Sequence, residues 1–461
     1  MRPIHDFATW EPLLKLLRAS NAESLAAPGG HVAGQISGAG WSLPLRRVAP
    51  QPGRAARIED MQDEIDAVER VRSALVDAGA ASISFTTEIS PTGKAVLHLL
   101  GGGPAVEPGI GGPHPESLVL VEGAVAEPWR RLPDPMPDAV PAPSSDPGLL
   151  ERTLRKRLPD AIGATEAEFA ATEARLGVEL PDELKSLYRV TRGRWEDWGD
   201  DYDAAVRAFE AVGCELFPLD DLFIADASSR PCPWRFAAME AVVTLPDDPV
   251  QGLVGSPGWI VFGDNGGGDR IAVDLTPGPR GHTGQVIMIS HEENSGADLL
   301  ADSVTDLVMK RRSTVRGRGR QDLPPAVARV NIRSLTSIEA AAHPGLEVLS
   351  IGVWDDEPLS LAPVAGLPRL RSLSAYPGTL ADPLEIAQLT GLEFLDLGPA
   401  EWRVLLDADA VPRSLSAASI EVRGNEHPLA VAALANELLA LWDRPRITRT
   451  TIEGDLGVPV R

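Results

Sequence analysis

Apolar side chains recur at helical spacing near the start of the chain, where Trp10, Leu13, Leu14, Leu16 and Leu17 fall together and Pro12 sits in a first turn that tolerates it. A second helical run spans about residues 59 to 78: Met61, Ile65, Val68, Leu75 and Val76 share a face, and Gly79 supplies the stop. The period then changes to that of strands. Residues 82 to 87 and 95 to 100 are β-rich runs on either side of Ser90-Pro91-Thr92-Gly93, which reads as a hairpin, and Leu118 to Val121 adds a strand. Alternation places His98, between Leu97 and Leu99, on the solvent face, where a structural role is favoured over a ligand role. These elements predict a small α+β domain of unassigned type over residues 1–127.

Residues 128–150 carry seven prolines among Ala, Ser and Asp, from Pro128 to Pro147, which predicts an extended linker. Helical patterning resumes at Thr165, which can cap a helix with Glu168 three residues on, while Phe169, Thr172 and Leu176 share its inner face and Gly177 ends it. Leu180-Pro181-Asp182-Glu183-Leu184 opens a second helix that turns Leu184, Leu187 and Tyr188 inward. Further on, Trp259 to Phe262 has the pattern of a buried strand, residues 263 to 269 (GDNGGGD) form a turn, and Arg270 to Leu275 returns. Another strand runs from Gly284 to Ile289, and a closing helix from Leu299 to Met309. A domain over residues 151–310 follows from this order, bounded by a basic linker over 311–322.

The last segment, residues 323–461, repeats itself. Leu346-Glu347-Val348-Leu349-Ser350-Ile351, Leu370-Arg371-Ser372-Leu373-Ser374-Ala375 and Leu392-Glu393-Phe394-Leu395-Asp396-Leu397 start 24 and then 22 residues apart, a leucine-rich-repeat-like period. Val327 to Ile332 and Leu415 to Ile420 fit degenerate flanking copies, and residues 429 to 442 form an apolar helix suited to capping a short β/α solenoid. The period leaves Glu347, Ser350, Arg371, Ser374, Glu393 and Asp396 as the exposed positions. Ile447 to Ile452 is the last strand expected.

Composition narrows the function classes. The 461 residues carry a formal charge of −23, and residues 151 to 310 hold 29 Asp/Glu against 15 Lys/Arg, a local balance of −14. Direct binding to nucleic acid or anionic membrane needs basic surface and is not expected. The excess acid is compatible with either a solubilising surface or a tuned interface. The basic run KRRSTVRGRGR at residues 310 to 320 has no aromatic interleaving and reads as a linker rather than a nucleic-acid tail. Two cysteines, Cys214 and Cys232, provide no disulfide framework, the start lacks the pattern of a secretory leader, and no run is long and apolar enough to span a bilayer. A cytoplasmic location is the expectation.

The middle segment resembles the SUKH superfamily, the SMI/KNR type. The resemblance rests on Phe169, Leu176, Gly177, Leu180, Pro181 and Leu184 in the helical pair, on Gly266, Gly268 and Asp269 as a structural turn, and on Ser303 and Leu307 in the final helix. It implies an α+β fold with a mixed sheet and packed helices. It also implies a non-enzymatic protein that binds a protein partner: an immunity protein facing a basic toxin domain or, alternatively, a multidomain scaffold or regulator of cell-wall or signalling type that uses its repeat domain. Arg192-Gly193 stands where the family commonly has Asn-Gly, and residues 196 to 203 (EDWGDDYD) form an acidic, Trp-containing insertion. Two tryptophans within a charge run point to a docking loop of Trp195, Glu196, Asp197, Trp198, Asp200, Asp201 and Asp203, unless both rings fold back onto the core.

Enzymatic alternatives lack their signatures. The glycine-rich turn returns into a strand and is flanked by Asp264, Asp269 and Asp274, unlike a phosphate loop that opens a helix, and it has no EF-hand spacing. His282 and His291, near Glu292 and Glu293, show neither HExxH nor a Cys/His ligand series. No cofactor, catalytic residue or metal site is expected.

Overall fold

In the computed structural model, the strand Thr448–Asp455 pairs antiparallel along all of Lys94–Gly101, and that pairing rearranges the serial domain order expected from the sequence. Residues 3–46, 61–107, 118–197, 201–311, 325–423 and 426–458 are described. They form two units, one built from residues 1–124 together with 328–461, the other from residues 125–327. The N-terminal α+β segment is therefore not self-contained, because its sheet and core are completed by the far end of the chain.

The first unit holds two sheets. One orders Thr448–Asp455, Lys94–Gly101, Ser82–Ile89, Val32–Ser37 and Trp41–Ser42, all antiparallel. Helices Phe7–Ser20 and Gln62–Asp77 contribute Trp10, Leu13, Leu14, Leu17, Val68 and Val71 to a core shared with Phe85, Leu97, Leu99 and Ile452. Val76, expected on that inner face, is 75% exposed, since the buried positions Val68, Val71 and Leu75 already define the stripe. In the second sheet, Val348–Ile351, Ser372–Ala375, Phe394–Leu397 and Ala417–Ile420 run parallel in succession, with Leu349, Leu373, Leu395 and Ala418 in register. Short 3-10 turns at Ala362–Val364 and Pro383–Gln388 and the helix Pro399–Asp407 return the chain between strands. The sheet then continues into Val119–Val121 and Val106–Glu107, paired antiparallel, so the repeat segment does not stand apart from the N-terminal one.

The polar repeat positions are a correction. Glu347, Arg371, Glu393 and Asp396 are buried rather than exposed. The spacing that stacks leucines also stacks the residue after each first leucine, so Arg371 lies between Glu347, at 3.4 Å, and Glu393, at 3.5 Å, and Arg369 reaches Glu347 at 2.7 Å. Alternating charge down the ladder compensates its burial. Ser350 and Ser374 are half-buried, and the Ser374 hydroxyl donates to Asp396 at 2.9 Å.

His98 is also buried rather than solvent-facing, because the second side of the antiparallel sheet is covered too. Its Nδ1 lies 3.0 Å from Thr451 Oγ1 on the pairing strand. Nearby, His427 caps the helix Pro428–Leu441: its Nδ1 accepts the Leu429 N–H at 3.2 Å, its Nε2 is 3.7 Å from Glu88, and its ring centroid is 4.3 Å from that of His31. Protonating Nδ1 would abolish the acceptor and put a cation at the positive end of a helix. Burial, then His31, hold the His427 pKa below 6.5, with Glu88 opposing and His98 adding to the depression. Burial, then Arg449, do the same for His98. Both rings favour neutrality in the folded state, so their contribution is complete above about pH 6.5 and is lost as pH falls through the depressed folded values. The melting temperature of wild type relative to His427→Asn, which keeps a neutral cap, should be lower at pH 5 than at pH 7.5; a difference that does not change with pH contradicts the cap.

The second unit centres on an antiparallel sheet, not one of mixed direction, ordered Asp298–Ala301, Gln285–Ile289, Arg270–Asp274, Trp259–Asp264 and Glu215–Leu216, with Phe223–Ile224 also on Trp259–Asp264. Ile260, Phe262, Ile271, Val273 and Val286 face a core shared with helices Pro147–Arg157, Glu166–Leu176 and Asp182–Tyr188. Trp259, Val261, Ala272 and Ile287 face a smaller one with Ala225, Val250 and Leu253. The expected closing helix is divided into the strand Asp298–Ala301 and the helix Val304–Val308, because Ser303 caps the latter by accepting the Asp306 N–H.

Of the proline-rich stretch, residues 131–146 carry no helix or strand while its ends fall in the helices Glu127–Arg130 and Pro147–Arg157, and it is docked on this unit rather than free as a linker. The Trp129 indole donates to the Arg230 carbonyl at 2.8 Å, Gln251 exchanges hydrogen bonds with the Asp134 backbone, and the Thr283 N–H donates to the Val140 carbonyl at 3.1 Å. Prolines remove donors but keep carbonyls, which leaves such a strap able to accept bonds from its neighbours. Of the basic linker at 311–322, all but Arg311 lies outside the described residues.

Candidate partner-binding site

Local capping holds the helical pair as the sequence predicts. Thr165 and Glu168 form a reciprocal capping box, Gly177 ends that helix at φ +70°, and Leu184, Leu187 and Tyr188 are fully buried. Lys185 on the second helix joins Glu173 on the first at 2.7 Å. The Tyr188 hydroxyl donates to the Phe217 carbonyl at 2.6 Å, and burial raises its pKa well above 10. The pair thus anchors the segment that leads into the acidic loop.

The glycine-rich turn consumes its own carboxylates. Gly266 and Gly268 take φ of +80° and +101°, which glycine adopts without strain. Asp264 accepts the N–H groups of Gly266 and Gly268, and Asn265 accepts those of Gly267 and Asp269. Asp269 receives the His291 N–H at 3.0 Å and lies 2.8 Å from its Nδ1, contacts that hold its carboxyl below the usual range. Asp264 also pairs with Arg270 at 2.7 Å. Among the described residues, no group of three His, Cys, Asp or Glu side chains is placed to hold a metal ion.

Beside this turn lies a cleft of about 270 Å³, lined by Arg230, Cys232, Arg270, Ser290 and His291 among others. Arg230 is spent on structure. Its guanidinium donates to the carbonyls of Val254, Gly296, Ser290 and Glu293, tying the loop after Ile289 to the body of the unit. His282, the other histidine considered, is not among the residues lining this cleft.

The proposed docking residues are distributed unequally. Trp195, Glu196 and Asp197 form a 3-10 turn, with Glu196 exposed. Asp197 is held by Arg192 in a two-point contact of 2.7 and 2.6 Å. Asp201 caps the helix Tyr202–Val212 by accepting the Ala204 N–H at 3.0 Å and lies 3.3 Å from Arg207. Asp203 is exposed in the first turn of that helix. Trp198 and Asp200 lie outside the described residues. Two of the acids therefore have local structural work, while Glu196 and Asp203 face solvent.

Sequence reasoning missed the helix that follows. Its buried side is Ala208, Ala211 and Val212, yet Tyr202, Val206 and Phe209 are 69%, 37% and 40% exposed. Their i, i+4, i+7 spacing is visible in the sequence, but only Tyr202 falls within the acidic stretch 196 to 203, and the opposite, buried face offers mainly the small side chains Ala208 and Ala211 as a pattern.

The capped helical pair, the glycine turn and the terminal helix coincide with a family match: residues 163–310 form a domain of the SMI1 / KNR4 family (SUKH-1). Over 67 residues the chain is 36% identical to the glucan synthesis regulatory protein of Neurospora crassa, covering 14% of this chain and 13% of that protein. Over 49 residues it is 43% identical to the KNR4/SMI1 homolog of Yarrowia lipolytica, covering 11% of this chain and 7% of that one.

Proposed function

We propose that this chain is a non-enzymatic, partner-binding regulator of the cell-wall or signalling class, with its SUKH-1 domain as a protein-recognition module. The observation that carries the reading is the family match over residues 163–310 together with a relative named as a regulator of glucan synthesis. The turn carboxylates and Arg230 are engaged in holding the fold, which supports recognition over group-transfer chemistry in the neighbouring cleft. The relatives' names favour regulation over toxin immunity.

The test is chemical cross-linking in the cells the protein comes from, followed by isolation of the tagged full-length chain. A stoichiometric protein partner with a role in wall synthesis or signalling is expected. Isolation of the chain without any partner overturns the reading, and a basic toxin domain as the partner replaces regulation with immunity.

A further inference from the structure

We infer that the outward face of the Tyr202–Val212 helix is a docking surface for a cationic amphipathic helix of a partner protein, an inference that rests on the partner-binding reading above. Tyr202, Val206 and Phe209 fall within an arc of roughly 60° on an ideal helix. They are all exposed, while a separate stripe of Ala208, Ala211 and Val212 already packs the helix onto its unit. A helix needs one apolar face to be held in a fold, so the second is not accounted for by folding.

Charge chooses the occupant. Asp203 and Glu210, both exposed and seven residues apart, border one edge of the stripe, and Glu196 is exposed in the preceding turn. The only cation on the helix, Arg207, lies 3.3 Å from Asp201 and is offset by it. The surrounding residues 151 to 310 carry 29 acidic against 15 basic side chains. Such a border attracts lysine and arginine and repels the phosphates of nucleic acids and anionic lipids. A second copy of this chain would set acid against acid across a twofold axis. Anchors at i, i+4 and i+7 match the apolar stripe of another helix, with partner cations meeting Asp203 and Glu210.

The probe is a fluorescein-labelled amphipathic helix of about 18 leucines and lysines, long enough to fold on contact, titrated against the full-length chain by anisotropy. Binding should weaken at least ~10-fold in Val206→Ser/Phe209→Ser, the size of loss that removing apolar anchors produces. Asp203→Lys/Glu210→Lys should weaken binding and flatten its salt dependence. A scrambled peptide of the same composition should bind far more weakly than the amphipathic one. Both variants alter exposed positions, and an unchanged melting temperature establishes that each is folded. Equal binding by wild type and Val206→Ser/Phe209→Ser, equal binding of the scrambled peptide, no binding at all, or preference for phosphatidylserine vesicles overturns the inference. If the cellular partner is isolated equally well with Val206→Ser/Phe209→Ser, this surface is excluded while the regulator reading stands. If no partner is isolated with wild type, the reading itself fails.

Discussion

Replacing Glu183 with alanine is expected to destabilise the 125–327 unit by about 4 kcal/mol, from the loss of charge-assisted bonds and the stranding of buried donors. Glu183 is a buried carboxylate on the helix Asp182–Tyr188, and it accepts the N–H groups of Val304 at 3.2 Å and Thr305 at 3.1 Å, together with the Thr305 hydroxyl. It thereby supplies a second cap, beside Ser303, to a helix distant in sequence. Glu183→Gln keeps one acceptor and should cost roughly 1–2 kcal/mol. Hydrogen exchange across a urea series should show residues 182 to 188 and 304 to 308 opening together at lower urea in the alanine variant. An alanine variant that exchanges like wild type contradicts the role assigned to the carboxylate.

The second large effect depends on pH. Asp274 is fully buried at the end of the strand Arg270–Asp274, where it accepts from Gln285 Nε2 at 2.9 Å and from the Thr276 N–H and hydroxyl at 2.8 and 3.1 Å. Burial outweighs these donors and pushes the carboxyl from 3.8 up to about 6. The folded state therefore binds more protons than the unfolded one between these values. Its contribution is complete below about pH 4 and is lost as pH rises through about 6, a change of about 3 kcal/mol. Asp274→Asn carries no such titration, and whatever constant offset the amide brings does not alter with pH. Stability of wild type relative to Asp274→Asn should fall by about 2 kcal/mol between pH 4 and pH 7 as judged by linkage. A difference that stays flat across this range would show that the carboxyl titrates at its ordinary value.

What could be read from the sequence was local. The Thr165–Glu168 box, the stop at Gly177 and the hairpin between Trp259 and Asp274 depend on neighbours within a few residues, and the structure has all three. The repeat spacing likewise placed Leu349, Leu373 and Leu395 in one register. Side chains whose surroundings come from far along the chain were misread. His98 looks exposed by alternation, but the second side of its sheet is covered as well, and its cross-strand partner Thr451 comes from 353 residues away. Glu347, Arg371 and Glu393 looked exposed because charge ordinarily faces water, and only the parallel stacking of their strands makes them one another's partners. The prolines of residues 128 to 150 marked a stretch largely without helix or strand but not the surface on which the strap lies.

For the candidate site, the acidic stretch was visible by composition, but composition could not assign work to individual carboxylates. Asp197 answers Arg192 and Asp201 caps a helix, whereas Asp203 keeps its charge for solvent or a partner. The apolar stripe beside them gives the surface a shape as well as a sign. A purely solubilising surface requires no such stripe.

Site-specific photocrosslinking tests the central claim, recognition through the SUKH-1 domain, most directly. A photoreactive amino acid is placed in the full-length chain at Val206, on the outward face of the Tyr202–Val212 helix, or at Val404, an exposed apolar position on the Pro399–Asp407 helix of the other unit. Irradiation in the cells of origin should give a discrete partner adduct at 206 and none at 404. An adduct at 404 with none at 206 would contradict the claim and move recognition to the unit that contains the repeats.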